Sequence, residues 1–205
     1  MIADLRVCFL GDSFVAGVGD PEHLGWVGRV AARTNRGGQP LTAYGLGVRR
    51  ETSRDVLGRW RRECAPRLPA GSACGVVVSF GVNDTTHEGG AVRVPPPQSA
   101  AHLARLLEGV ATAGWRVLVV GPPPVRDRQQ AERILALDAV FGTVCADADV
   151  AYVSVVEALL DSRVWMHEVA GGDGAHPGAA GYQELADLVW PAWQAWLPGL
   201  APSGA

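Results

Sequence analysis

The sequence predicts an α/β domain of three layers, a five-stranded parallel sheet with helices on both faces. Three observations carry that prediction. Five short apolar runs recur along the chain, and they are nearly continuous rather than alternating, as strands buried on both faces are. Between them lie segments whose apolar residues fall at helical spacing. The two kinds of segment alternate through the 205 residues with no break in composition, and repeated β–α–β order implies parallel strands joined by right-handed crossovers.

Leu5–Gly11 (LRVCFLG) is the first strand, and it stops at Gly11-Asp12-Ser13. Leu24, Val27, Val30 and Ala31 mark the helix after it. Leu41–Gly47 (LTAYGLG) is a weaker strand. Val56, Leu57, Trp60 and Cys64 mark the next helix, opened by Thr52 with Asp55 at capping-box spacing. Cys74–Gly81 (CGVVVSFG) is the third strand, and Leu103, Leu106, Leu107, Val110 and Ala111 make the helix that follows. Trp115–Gly121 (WRVLVVG) is the fourth, followed by a helix through Ile134, Leu137, Phe141, Val144 and Cys145. Asp149–Val155 (DVAYVSV) is the fifth. Tyr182, Leu185, Ala186 and Val189 mark the last helix, which Pro191 is expected to bend or end. Trp190, Trp193 and Trp196 read as helix packing. One domain over residues 1–197 and a loose tail over 198–205 are expected.

Composition narrows the chemistry. All 18 lysine-or-arginine positions are arginine, so Schiff-base lysines and P-loop lysines are excluded. A net charge of −3 with scattered arginines argues against a nucleic-acid partner. No apolar run reaches the roughly 18 residues of a membrane span. The start of the chain has no basic stretch ahead of its short apolar run, so a cytoplasmic location is expected. Cys8, Cys64, Cys74 and Cys145 form no CxxC, which disfavours both a zinc site and a disulfide framework. Gly17-Val18-Gly19 and Gly45-Leu46-Gly47 each lack the third glycine of a dinucleotide fingerprint, and no cofactor is expected.

Ligands of open parallel sheets bind at the carboxyl ends of the strands. The polar residues just past the predicted strands are Asp12 and Ser13, then Arg49, Arg50 and Glu51, then Asn83 and Asp84, then Arg126, and finally Asp173 and His176. A nucleophile, an amide donor, an acid and an imidazole are what acyl transfer needs. A serine hydroxyl is a poor nucleophile until a base takes its proton, and His176 is the natural base. Asp173, a turn earlier, can hold the imidazole in one tautomer. The Asn83 amide and nearby backbone N–H groups are candidate oxyanion donors; Ser13 is expected to open a helix, leaving its N–H free. Asp173 and His176 have no evident third ligand for a metal.

At these residues the chain resembles the SGNH (GDSL-type) hydrolase family, its lysophospholipase- and thioesterase-like esterases included. The matches are Gly11-Asp12-Ser13-Phe14, Gly81-Val82-Asn83-Asp84 and Asp173-Gly174-Ala175-His176-Pro177, in family order over nearly the whole chain. The resemblance implies a flavodoxin-like sheet and hydrolysis of small-molecule esters or thioesters. It implies Ser13 as nucleophile, His176 as base, Asp173 as its partner, and Asn83 with the Ser13 backbone as oxyanion hole. It also implies a third donor from a glycine in the second block, where this chain has Arg50, and Gly45 where many members have asparagine. A backbone N–H survives that exchange, but a positive φ there would strain arginine. There is no G-x-S-x-G elbow. A non-catalytic module binding an acyl or phosphate ligand is the alternative reading, motivated by this altered block. Asp12 reads as structural, His23 and His102 as helix-surface residues, and His167 as a loop residue. His87 lies in a loop, Val82–Pro97, long enough to act as a lid.

Overall fold

A computed structural model describes residues 4–200. In chain order the elements are β1 (Leu5–Gly11), α1 (Gly25–Arg36), β2 (Leu41–Gly47), α2 (Ser53–Cys64) and β3 (Ala73–Ser79). A two-residue hairpin, β4 (His87–Glu88) and β5 (Ala91–Val92), precedes α3 (Pro96–Thr112). Then come β6 (Arg116–Val120), α4 (Arg128–Asp147), β7 (Ala151–Val153), α5 (Val156–Asp161), α6 (Arg163–Gly171) and α7 (Ala179–Trp196).

Five strands form one parallel sheet in the order β2-β1-β3-β6-β7. Side chains of β1 alternate between two cores, as strand geometry requires. Val7 and Phe9 join Trp26, Val27 and Val30 of α1 and Tyr182, Leu185 and Trp193 of α7. Cys8 and Leu10 join Val56 and Trp60 of α2, Leu103 and Leu106 of α3, and Phe141 of α4. These are the predicted three layers. From β1 the chain crosses to β2 on one side and then to β3 on the other, so the order reverses between β1 and β3. A crevice opens at such a reversal, outside the carboxyl ends of those two strands.

Several boundaries differ from expectation. The fifth strand is only Ala151–Val153, since its ladder to β6 spans just three residues. The helices α5 and α6 and the β4–β5 hairpin lie in stretches read as connections, which puts His167 on a helix. Ser13 opens a single helical turn, closed by Val18 N–H donating to Ser13 O at 3.0 Å, and the next helix begins only at Gly25. Pro191 does not end α7. Beyond it, Trp193 Nε1 donates to Thr34 Oγ1 at 2.9 Å and Trp196 Nε1 to the Val117 carbonyl at 3.0 Å, and this buried packing outweighs the one backbone bond that proline removes. In the expected tail, Leu197–Gly199 form a 3-10 turn and Leu200 packs on the core; residues 201–205 lie outside the described part. Among the described residues, no helix is long and apolar enough to cross a membrane.

Candidate active site

Ser13 follows β1 and His176 precedes α7, 163 residues apart, yet His176 Nε2 and Ser13 Oγ lie 2.7 Å from each other. Contacts between their supports set that register. The Tyr182 hydroxyl of α7 donates to the Val18 carbonyl, in the turn that Ser13 opens, at 2.8 Å. Gly19 has φ +91° and a Cβ there would stand 2.7 Å from the Pro177 carbonyl oxygen, so only glycine lets the two loops meet. The Phe14 ring lies against the imidazole, centroids 4.9 Å apart.

The other ring nitrogen, Nδ1, lies 2.7 Å from Asp173 Oδ2, while Asp173 Oδ1 accepts from the Ala175 and His176 N–H groups, both at 2.9 Å. Partial burial opposes ionisation of Asp173, but the His176 N–H, the His176 ring and the Ala175 N–H overcome it and hold the carboxyl at about 2. It is therefore an acceptor at neutral pH, which fixes the proton on Nδ1 and leaves Nε2 free to take one from Ser13. His176 is also anchored from behind. Glu168 of α6 accepts from the N–H groups of Gly178 at 2.9 Å, Gly181 at 2.6 Å and Ala180 at 3.3 Å, capping α7 just past the histidine.

Two residues of the cavity wall, Ser13 and Arg50, carry main-chain N–H groups that could serve an oxyanion. Neither the Ser13 nor the Arg50 N–H has an acceptor among the described residues. Arg50 adopts φ +67°, the left-handed conformation that the glycine exchange made a question, and this costs a non-glycine residue about 1 kcal/mol. Asn83 is more committed than the sequence suggested. Its amide donates to the Glu51 carbonyl at 2.9 Å and to Asp12 Oδ2 at 3.2 Å, so serving an oxyanion means loosening the longer bond. Asp12 is fully buried, and burial pushes its carboxyl up to about 7, against the Phe14 N–H bond and aided by the nearby Asp84 charge. Asp84 is also raised by burial. It accepts from Ser53 N–H at 2.8 Å and from Ser99 Oγ at 2.6 Å, tying the loop after β3 to the start of α2.

Sequence reasoning missed some of this support. Arg59 of α2 donates to the Gly11 carbonyl at 3.1 Å, the Leu46 carbonyl at 2.7 Å and Glu51 at 2.7 Å. It thus binds the ends of β1 and β2 to the Arg50 loop. The Glu168 cap left one signal, Gly178 and Gly181, since a Cβ at either would crowd its carboxylate. His102 is not a plain surface residue: its Nδ1 lies 2.9 Å from Ser53 Oγ. His23 sits in the turn before α1 at φ +56°, while His87 and His167 are exposed and away from the cavity lining.

Ser13, His176, Asp173, Asn83 and Arg50 all line one cavity of about 460 Å³. Its remaining wall is mostly polar, with Arg49, Thr86, Arg126, Asp127 and Gln130, and its apolar part is Phe14, Val82, Val125 and Ala175. Among the described residues, no group of three or more His, Cys, Asp or Glu side chains could hold a metal ion.

Comparison with known proteins gives the family and the fold. Among solved structures, TesA is 27% identical with a TM-score of 0.75, covering 94% of this chain and 99% of its own. A lipase/acylhydrolase from Enterococcus faecalis is 22% identical with a TM-score of 0.74, covering 98% of this chain and all 100% of its own. A catalytic mutant of Axe2, an acetylxylan esterase from Geobacillus stearothermophilus, is 16% identical with a TM-score of 0.75, covering 100% and 99%. The last two establish likeness of fold. No curated protein matches the chain. The profile of the GDSL-like lipase/acylhydrolase family matches residues 9–184, which spans both the Ser13 and the His176 loops. The chain belongs to the GDSL-like lipase/acylhydrolase family and is an ester hydrolase.

Proposed function

We propose that the chain, a single domain over residues 1–197, cleaves small carboxylic esters or thioesters through an acyl-enzyme on Ser13. His176 Nε2 takes the Ser13 hydroxyl proton as Oγ attacks the carbonyl carbon. Asp173 holds the ring and stabilises the imidazolium that results. The carbonyl oxygen, now an oxyanion, is met by the Ser13 and Arg50 N–H groups and by the Asn83 amide. As the tetrahedral intermediate collapses, the imidazolium gives its proton to the departing alkoxide or thiolate. Water, deprotonated by His176, then attacks the acyl carbon, and collapse returns the proton to Ser13. The observation that carries this reading is the run of two 2.7 Å contacts from Ser13 Oγ through His176 to Asp173 at the cavity wall. The four cysteines, all free and buried, fit a reducing compartment such as the cytoplasm.

Hydrolysis of p-nitrophenyl acetate by wild type and Ser13→Ala tests it. The variant is expected to lose about 10³-fold or more in kcat, and a fluorophosphonate is expected to label Ser13. Equal rates with an unlabelled Ser13 would reject the assignment.

A further inference from the structure

Arg50 and Asn83 come from different loops, yet two oxyanion donors must keep a fixed separation around one oxygen atom. The β4–β5 hairpin lies between those loops. Its root is bonded to the Asn83 loop: Arg93 N–H donates to the Thr86 carbonyl at 2.9 Å and Val94 N–H to the Asp84 carbonyl at 3.1 Å. Its tip turns through Gly89 and Gly90 at φ +61° and +87°, the paired positive values that a tight antiparallel hairpin requires. Two side chains of this segment reach Arg50. Glu88 Oε1 accepts from Arg50 Nη2 at 2.7 Å, and Arg93 Nη1 donates to the Arg50 carbonyl oxygen at 2.9 Å. Arg93 Nε lies 3.7 Å from Glu88 Oε2, which closes a ring of three residues through both the side chain and the main chain of Arg50.

We propose that Glu88 and Arg93 are positioning residues that hold Arg50 in its left-handed conformation and so aim its N–H into the catalytic cavity. The inference rests on Arg50 acting as an oxyanion donor. Glycine reaches that conformation freely, whereas arginine resists it but can be tethered by its own side chain. The exchange therefore couples oxyanion stabilisation to docking of the hairpin. A glycine at the same place would keep only the Arg93 half of the ring. The tether is also accessible to salt, because the Arg50 side chain is 74% exposed and that of Glu88 48%.

A mutant cycle on p-nitrophenyl acetate tests this, reading kcat and KM separately. Glu88→Gln and Arg93→Met are each expected to lower kcat by about 3- to 10-fold with KM little changed, a fraction of the roughly 10²- to 10³-fold that a lost donor costs. In an Arg50→Gly background the Glu88→Gln loss is expected to shrink below about 2-fold, since glycine needs no tether. Raising NaCl from about 0.05 M to about 1 M is expected to lower kcat of the wild type more than that of Arg50→Gly. Asp187→Asn, which breaks the exposed Arg33–Asp187 pair between α1 and α7, is the control. Unchanged kcat in Glu88→Gln, or equal losses with and without Arg50→Gly, overturns the tether while ester hydrolysis and fluorophosphonate labelling of Ser13 stand. A wild type whose Ser13 is neither labelled nor needed for hydrolysis removes the parent reading, and the tether with it.

Discussion

Asp12 stands directly before Ser13, the proposed nucleophile, fully buried, and its hydrogen-bond partners, the Phe14 N–H and the Asn83 amide, carry no charge. Its carboxyl, at about 7, is raised above the ordinary value near 4. The folded chain thus keeps a proton there, between about pH 4 and pH 7, that the unfolded chain has released. Stability from this group is present below that window and falls as pH rises through it. Asp12→Asn removes the charge, so its stability relative to wild type is expected to rise between pH 5 and pH 8, by on the order of 2 kcal/mol. Urea unfolding at the two pH values measures this, and a difference that does not change with pH contradicts it. Asp173 behaves oppositely: its lowered carboxyl stabilises the fold above about pH 4, and that contribution is lost as pH falls towards 2.

Among the elements, α7 bears most directly on the chemistry. Its own N-cap is Gly178, which has no side chain to satisfy the first N–H groups, and Glu168 of α6 does so from outside. A carboxylate there also complements the positive end of the helix. Because His176, the proposed base, lies just before this capped turn, the cap holds its loop as well as the helix. Glu168→Ala is expected to destabilise the protein by about 2 kcal/mol and to lower kcat more than it raises KM. Denaturant unfolding and steady-state kinetics check both, and a variant as stable and active as wild type would show that water replaces the cap. Arg59 plays the matching part on the other side of the site. Its fork reaches two carbonyls and a carboxylate at once, a geometry that lysine could not reproduce.

At the scale of the whole molecule, the strand order β2-β1-β3-β6-β7 puts the Ser13 and Asn83 loops at the point where the order reverses. The cavity formed there has few apolar side chains and three arginines in its wall, so a long acyl chain would gain little by entering it. Among p-nitrophenyl esters, kcat/KM is expected to be highest for acetyl and butyryl and to fall with longer chains. A steady rise to dodecanoyl would contradict this reading of the wall. The strand order itself was not legible in the sequence. The five apolar runs announced five buried strands, but nothing local to Leu5–Gly11 says that β2 and β3 pair on its two sides. The hairpin at His87–Val92 was hidden because two-residue strands carry no periodicity, and only Gly89-Gly90 marked its turn.

The sequence alone determined the layers and the chemistry, because both are written in local features. Continuous apolar runs and helical spacing are properties of neighbouring residues, and Ser13, Asn83, Asp173 and His176 each sit beside a turn that names their block. Tertiary structure decided how these groups meet. The Ser13–His176 contact depends on Tyr182 and Gly19, the Arg50 conformation on Glu88 and Arg93, and the orientation of Asn83 on Asp12 and Glu51. Most of these partners are far apart in sequence. Hydrogen bonds between such residues depend on distance and angle in space, and a linear pattern records neither.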